Sequence, residues 1–297
     1  MIYKILLTDK TKYDILYVTQ KYFLYKTGPF FFCPAKLNYI AKERNFMQLV
    51  LLTALGVGGA TVIGAIIGFI FKNISHRFSD IVLGFAAGVM LSAAVVGLIL
   101  PSLEYESSFS IVITVTGIIT GAICINLIDK LVPHLHSLAA SKTEDTENGE
   151  KLGKVLLFVL AIAIHNLPEG IAAGVGFGTG NVSGALTVAL GIALQNIPEG
   201  MVIIAPMLAA GISKGRTLFI ASLTGVIEIF GTLIGYFAVS ISAVILPFAL
   251  AFAGGTMLFV IGNDMIPETH AHGCEKSATY SLLIGFCLML VMDYLLG

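Results

Sequence analysis

The chain reads GKVLLFVLAIAIHNLPEGIAAGVGF over residues 153–177, an apolar stretch with a polar cluster near its centre. The core of this cluster, His165–Gly170, has a near copy in Gln195–Gly200, which reads QNIPEG inside a second apolar stretch. A charged side chain at the centre of a membrane helix costs about 2.5–3.5 kcal/mol on insertion scales. Since the chain places such a group twice in the same motif, we interpret the pair as a functional site.

The composition is that of a polytopic membrane protein. Of the 297 residues, 57% are hydrophobic and 12% are charged, whereas soluble domains carry about 25% charged residues. Apolar runs of about 20 residues, the length of a transmembrane helix, recur along the chain, and β-barrel strands would be about half as long. We therefore predict an all-α polytopic membrane protein with eight transmembrane helices. The predicted spans are 47–71, 81–101, 111–131, 153–177, 184–210, 216–238, 243–265 and 277–296.

The composition also restricts the partners. The formal net charge is −1 and the sequence holds no basic stripe, so we expect the lipid bilayer as a partner and no nucleic acid. The four cysteines have no CxxC spacing, which indicates neither a disulfide framework nor a thiolate metal site. The sequence leaves the oligomeric state open, and a homodimer is among the assemblies that it allows.

The distribution of basic residues predicts the orientation. Every Lys and Arg of residues 47–297 lies in the gap after span 1, 3, 5 or 7, or within the two residues of a span that border such a gap. Loops rich in Lys and Arg face the cytoplasm, so both ends of the eight-span core are predicted to be extracytoplasmic.

Two segments are predicted to lie outside this core. Residues 1–46 are neither a signal peptide nor a clean span. We interpret them as an N-terminal extension, either an over-extended gene model with translation starting at Met47 or a poorly ordered tail. Residues 47–297 then form the transmembrane domain. It contains a predicted cytoplasmic loop at about 132–152, whose polar composition from residue 137 onward favours disorder.

The two motif copies predict a metal cage. Residues four apart share a helical face, so His165 projects with Glu169, and Gln195 projects with Glu199. Each motif proline loosens the carbonyl four residues before it. The short connection near residues 178–181 makes the two helices antiparallel neighbours. One imidazole, two carboxylates, and amide and carbonyl oxygens then suit a divalent cation.

Other polar groups adjoin or extend this cage. Asn166 and Asn196 flank the paired side chains, and Glu228 lies at the centre of span 6. The segment 264–272, at the end of span 7, is either an exit-side relay of metal ligands or a solvated helix end. Asp129 is expected to be interfacial. Small residues spaced four apart predict close helix packing; these are Gly56, Ala60, Gly64 and Gly68 in span 1, and Gly170, Gly174 and Gly178 in span 4.

The motifs resemble those of the ZIP (Zrt/Irt-like protein) family of divalent metal transporters. The resemblance rests on His-Asn-x-Pro-Glu-Gly in span 4, Asn-x-Pro-Glu-Gly in span 5 and a Glu in span 6, and it covers about residues 47–297. The segment GFAAGVML at residues 84–91 and the presence of Gln195 resemble the sequences of the bacterial GufA-like branch. The family implies a ZIP-like bundle of eight helices with both ends extracytoplasmic and a metal site between helices 4 and 5.

The resemblance also implies a role for each motif residue. His165, Glu169, Gln195 and Glu199 match the primary metal site. Asn166, Asn196, Glu199 and Glu228 match a second site, with Glu169 as a candidate bridge. Binuclear relatives carry an acid where this chain has the neutral Asn196, so we expect one tight site and a weaker or conditional second site.

These features together predict a metal permease of the bacterial cell membrane. We expect uptake of a divalent cation into the cytoplasm, Zn²⁺ first, with Fe²⁺, Mn²⁺, Co²⁺ and Cd²⁺ left open. The metal is then a transported substrate; we expect neither a cofactor nor catalysis. The alternatives are a proton-coupled organic solute carrier, which would use the same carboxylates, and an intramembrane metalloenzyme, for which His-Glu-x-x-His is absent.

Overall fold

The structure is a computed structural model that describes residues 34–71, 75–105, 109–140 and 147–297. Contacts divide the chain into Met1–Met47 and Gln48–Gly297, and the side-chain contacts described below belong to the second unit. The long helices are α1 (Pro34–Ile70), α2 (His76–Ser92), α3 (Ser110–Ala140), α4 (Glu147–Gly176), α5 (Val182–Ala209), α6 (Lys214–Ile241), α7 (Leu246–Val260) and α8 (Glu275–Leu296).

The predicted all-α class is confirmed over the described ranges, which contain no strand. Seven helical segments there are long and apolar enough to cross a membrane. They correspond to the predicted spans other than the fourth, which α4 covers up to Gly176. The apolar runs therefore located the helices correctly.

Two of the predicted spans are not regular α-helices throughout. α2 continues as a π-helical segment, Ala93–Ile99, and a short helix, Leu100–Leu103; α7 continues in the same way as Ile261–Met265 and Ile266–Thr269. A proline stands at the start of each short helix. Because proline has no N–H to donate to the preceding turn, both sites favour a local change of hydrogen-bond pattern. Asp264 lies in the second π-helical segment.

Part of the predicted loop at about 132–152 is helical in the structure. α3 continues to Ala140 and α4 begins at Glu147, while residues 141–146 lie outside the described residues. Leu131, Leu135 and Leu138 follow helical spacing, which explains why α3 extends past the predicted span. Residues 137–140 and 147–152, for which the sequence favours disorder, therefore belong to α3 and α4.

Close glycine contacts join α4 to α6, two helices that pack along each other. A Cβ added to Gly170 would collide with the backbone carbonyl of Glu228, and one added to Gly174 would collide with that of Thr232. The helix that carries the first motif is thus held directly against the helix that carries Glu228. For these two glycines, the predicted packing role is confirmed.

The prediction of close packing along the small residues of α1 is only partly confirmed. A Cβ on Gly64 would meet the backbone of Ile197 in the second motif, whereas a Cβ on Gly56 would meet nothing within 4 Å. The close approach nearest to that position is instead made by Gly58, which faces Gly225 of α6. Spacing alone predicted a helical face but not which of the neighbouring glycines is in contact.

We expect Gly174→Ala to destabilise the protein by about 1–3 kcal/mol, the usual range for overpacking a core. The added methyl group would overlap backbone atoms of Thr232 and Tyr236, and α4 would have to move away from α6. The free energy of unfolding in detergent measures the effect. Gly56→Ala is the matched control, since it adds the same methyl group in open space. Equal stability of the two variants would contradict the close contact.

Candidate metal centre

The two motif copies lie on antiparallel, neighbouring helices, as the sequence predicts. α4 and α5 pack against each other and are joined by a single 3-10 turn and Gly180, whose φ of 75° is in the left-handed region. Asn181 then begins α5 by accepting a hydrogen bond at Oδ1 from the Gly184 amide at 3.1 Å. Both helices continue through their motif prolines.

Three carboxylates from three helices converge at the centre of the bundle. Glu169 of α4 and Glu228 of α6 are fully buried, and Glu199 of α5 is nearly so. Glu199 and Glu228 are both close enough to Glu169 to act on it electrostatically, and His165 acts on Glu199 in the same way. Such a concentration of buried acids requires compensating positive charge or hydrogen bonds.

Several buried polar atoms in and beside this cluster have no hydrogen-bond partner among the described residues. Both carboxylate oxygens of Glu169 and both polar atoms of the Gln195 amide are buried without a hydrogen-bond partner in the described part of the chain. The Gln195 amide lies near Glu169 but outside hydrogen-bond geometry. Buried polar groups in proteins almost always have a partner. This pattern is typical of a site whose partner is a ligand.

Both carboxylate oxygens of Glu228, by contrast, accept hydrogen bonds from neighbouring side chains. Its Oε1 accepts hydrogen bonds from Thr61 Oγ1 at 2.7 Å and from Asn166 Nδ2 at 2.5 Å. Its Oε2 accepts one from Asn196 Nδ2 at 2.5 Å, and the same Nδ2 also donates to the Val57 carbonyl at 3.2 Å. Three of the four residues that match the second site, Asn166, Asn196 and Glu228, therefore come together as hydrogen-bond partners of one another.

His165 faces two acids that lie on other helices. Its Nε2 is 3.7 Å from Asp129 Oδ1 of α3 and 3.5 Å from Asp264 Oδ2 in the segment after α7. One ligand atom from each of the three residues fits within 4.8 Å of the others. Asp129, which was predicted to be interfacial, therefore also faces the motif histidine.

A cavity of about 660 Å³ leads from the motif toward one side of the bundle. His165, Glu169 and Glu199 line its inner part, whereas Asn166, Gln195, Asn196 and Glu228 do not line it. Its wall also includes His76 and His272, which belong to the gaps after spans 1 and 7. The cavity therefore extends toward the side on which the Lys and Arg residues are concentrated.

Comparison with known proteins decides the family. A family profile described as ZIP Zinc transporter matches residues 137–293. The zinc transporter GufA of Myxococcus xanthus is 38% identical over 253 residues, which are 83% of this chain and 98% of that protein. This chain belongs to the ZIP zinc transporter family. The zinc transporter ZIPB of Bordetella bronchiseptica is 36% identical over 250 residues, 80% of this chain and 78% of that protein. Human zinc transporter ZIP11 is 30% identical over an alignment of 323 residues, which covers 80% of this chain and 94% of that protein.

The predicted family and its GufA-like relative are thereby confirmed for this ZIP protein. The sequence reasoning nevertheless missed three polar residues that contact the site or its cavity. Thr61 donates to Glu228, and Asp129 faces His165. Asp80, which is buried, contacts His272 Nδ1 at 3.0 Å through Oδ1, and the ring of His272 stacks on that of His76 at 4.6 Å.

These three residues share one property that could have drawn attention to them. Each is a hydrogen-bonding group within or beside a predicted membrane span, where polar side chains face the bundle interior rather than lipid. That signal marks a residue for inspection, but it does not reveal the partner on another helix.

Proposed function

We propose that this ZIP family member takes up divalent cations into the cytoplasm across the cell membrane, with Zn²⁺ as the main substrate. The observation that carries the proposal is the pair of unpartnered buried groups, Glu169 and Gln195, beside Glu199 and His165. The relatives named above are zinc transporters. Both the family and its named members favour transport over catalysis.

The proposed primary site lies between α4 and α5. His165, Glu169, Gln195 and Glu199 supply one nitrogen and several oxygens, a ligand set that suits Zn²⁺ and also accepts Fe²⁺, Mn²⁺, Co²⁺ or Cd²⁺. The charges of Glu169 and Glu199 would balance a divalent cation. The cavity gives His165, Glu169 and Glu199 access to the side rich in Lys and Arg. A cation held by these residues can therefore leave toward the cytoplasm under the predicted orientation.

We further propose eight transmembrane helices with both ends of the core extracytoplasmic. The seven membrane-length segments together with α4 supply the eight helices, and the distribution of Lys and Arg supports the orientation. Accessibility of single cysteines introduced into the loops tests this topology. Labelling of the loop between α5 and α6 from outside intact cells would contradict it.

Residues 47–297 are proposed to be the transporter domain, with residues 1–46 as an extension outside it. The matched region of the GufA relative, 253 residues long, has about this length. Zinc uptake by a chain that begins at Met47 tests the proposal. Loss of uptake from a folded, membrane-inserted chain of this kind would contradict it.

Uptake of zinc-65 into proteoliposomes tests the function itself. We expect zinc flux into vesicles that contain the purified protein, and weaker flux of the other divalent cations when each competes with zinc. Zinc flux itself separates metal transport from a proton-coupled organic solute carrier, and repeating the assay with and without a pH gradient measures whether that flux is coupled to protons. Absence of zinc flux, with His165→Ala and Glu169→Ala behaving as the wild type does, would refute the metal permease.

A further inference from the structure

We propose that His76 and His272 form a second binding site for a divalent cation, at the end of the cavity that lies toward the side rich in Lys and Arg, and that Asp80 orients His272 for this role. We call it the mouth site. It is separate from the motif residues of α4 and α5. The mouth site depends on the proposed function for its ligand, because a cation that leaves the centre through the cavity passes these side chains.

The two histidine rings lie side by side on the cavity wall. His76 is the first residue of α2, and His272 lies in the connection that leads into α8. Their ring centroids are 4.6 Å apart with 23° between the ring planes, and both residues line the cavity. Imidazole is the commonest metal ligand among protein side chains. Two separate elements therefore bring two such ligands to one part of the wall.

Asp80 determines which nitrogen of His272 is available to a ligand. Its Oδ1 lies 3.0 Å from His272 Nδ1. An ionised carboxylate only accepts hydrogen bonds, so Nδ1 carries the proton of the neutral ring and Nε2 keeps its lone pair. His272 Nε2 has no hydrogen-bond partner among the residues that the structure describes. Metal-binding histidines almost always donate their other ring N–H to a carboxylate, a backbone carbonyl or water, and the contact with Asp80 has this form.

The burial of Asp80 also favours a cation at this position. Its side chain is 1% exposed, and its Oδ2 is buried without a hydrogen-bond partner in the described part of the chain. The side chain of His272, which contacts the other oxygen, is 31% exposed. A neutral imidazole does not balance the charge of a buried carboxylate. A cation bound at Nε2 would polarise the ring and strengthen the hydrogen bond from Nδ1 to the carboxylate.

The other histidine of the same connection has the opposite pattern of contacts. His270 Nδ1 lies 2.8 Å from the Ile266 carbonyl oxygen and 3.0 Å from Thr269 Oγ1. Its Nε2 lies 3.2 Å from Thr279 Oγ1. Both ring nitrogens of His270 are thus used by the protein, and the residue does not line the cavity. Of the two histidines, His272 is the one that a cation can reach.

The donor set of the mouth site suits Zn²⁺. Imidazole binds Zn²⁺ and similar transition metals, whereas Mg²⁺ and Ca²⁺ prefer oxygen ligands. Glu268 lines the same cavity and is exposed, so its carboxylate can complete the coordination together with water. Two neutral imidazoles bring no charge, and we therefore expect weaker binding than at the centre, which has two buried carboxylates. Zinc that just fills the centre then leaves the mouth site unfilled.

Calorimetric titration of the purified full-length protein with zinc in detergent tests the mouth site. We expect a tight binding event at the centre, followed by a weaker event. His76→Phe keeps a ring that can stack on His272 but removes both nitrogens, and His272→Asn removes the other imidazole. Each variant should abolish the weaker event and leave the tight event unchanged. Asp80→Asn, a change of equal size, should weaken the second event about 10–100-fold, as is usual for the partner of a metal-binding histidine.

His270→Asn is the matched control. It removes an imidazole from the same connection and keeps an N–H group that can donate to the Ile266 carbonyl oxygen. Since His270 does not line the cavity, we expect both binding events to match those of the wild type. Equal loss of the weaker event in His270→Asn and His272→Asn would indicate that the folding of the connection matters and not ligation, and would overturn the inference.

Two other results would overturn the mouth site while leaving the proposed function intact. One is a wild-type titration with the tight event alone. The other is a weaker event that persists in both His76→Phe and His272→Asn, which would place it elsewhere in the protein. Failure of the proposed function is distinct, because the wild type would then show neither the tight event nor uptake of zinc-65.

Discussion

Glu169→Gln is expected to lower zinc affinity about 100-fold or more and to abolish uptake at low zinc concentration. Glu169 is the buried carboxylate whose two oxygens have no partner in the described chain. Its replacement leaves the cation with one compensating carboxylate instead of two. Removing one partner of a buried charge pair costs about 3–5 kcal/mol, and each 1.4 kcal/mol corresponds to a factor of about ten in affinity.

Initial rates of zinc-65 uptake, measured over a range of zinc concentrations, check this expectation. Because the loss is one of affinity, a high zinc concentration should restore part of the rate. Glu104→Gln is the matched control, since Glu104 is exposed and does not line the cavity, and it should transport zinc as the wild type does. Wild-type affinity in Glu169→Gln would remove Glu169 from the site.

Much of the fold could be predicted because membrane insertion imposes a simple rule on sequence. A helix needs about 20 apolar residues to cross the bilayer, and most charged residues lie in the segments between such helices. The short connection at residues 178–181 made α4 and α5 antiparallel neighbours, which the structure confirms. Helical periodicity likewise put His165, Glu169 and Glu199 on faces that meet in one cavity.

The irregular parts of the helices could not be predicted in this way. Hydropathy does not distinguish an α-helix from a π-helix, so the change at Ile261–Met265 was not expected. For the same reason, a loop was predicted from about residue 132, where α3 continues to Ala140. Charged and polar residues were taken to end the helix. A helix that extends beyond the hydrocarbon region needs no apolar composition.

Contacts between residues that are far apart in sequence could not be predicted either. Thr61 and Glu228 are bonded across 167 positions of sequence, and no local pattern encodes such a pair. For Asn166 and Asn196, the residue types were informative, but an amide can serve as donor or as acceptor. Only the position of Glu228 shows that their N–H groups are already used.

Asn196→Asp is expected to raise the number of bound zinc ions from one to two per chain. In the wild type, the Asn196 amide donates to Glu228 Oε2 at 2.5 Å and to the Val57 carbonyl at 3.2 Å. An aspartate can make neither hydrogen bond, and it places a second carboxylate against Glu228. Two buried like charges at this separation strongly disfavour the metal-free protein. A second cation between the introduced aspartate and Glu228 would relieve this repulsion. The wild type needs no such cation, because Asn196 carries no charge.

The thermal stability of this variant should therefore depend on zinc far more than that of the wild type. Leaving a buried acceptor unsatisfied costs about 1–3 kcal/mol, so we expect Asn196→Asp to be less stable by at least about this amount in the presence of a chelator, and to recover with zinc. Metal counting by mass spectrometry and melting with and without chelator measure both effects. Asn181→Asp adds the same charge at a helix N-cap, where aspartate is as suitable as asparagine, and should bind one zinc ion with unchanged stability. A single zinc ion in Asn196→Asp, together with wild-type stability in chelator, would show that Asn196 does not keep this part of the site mononuclear.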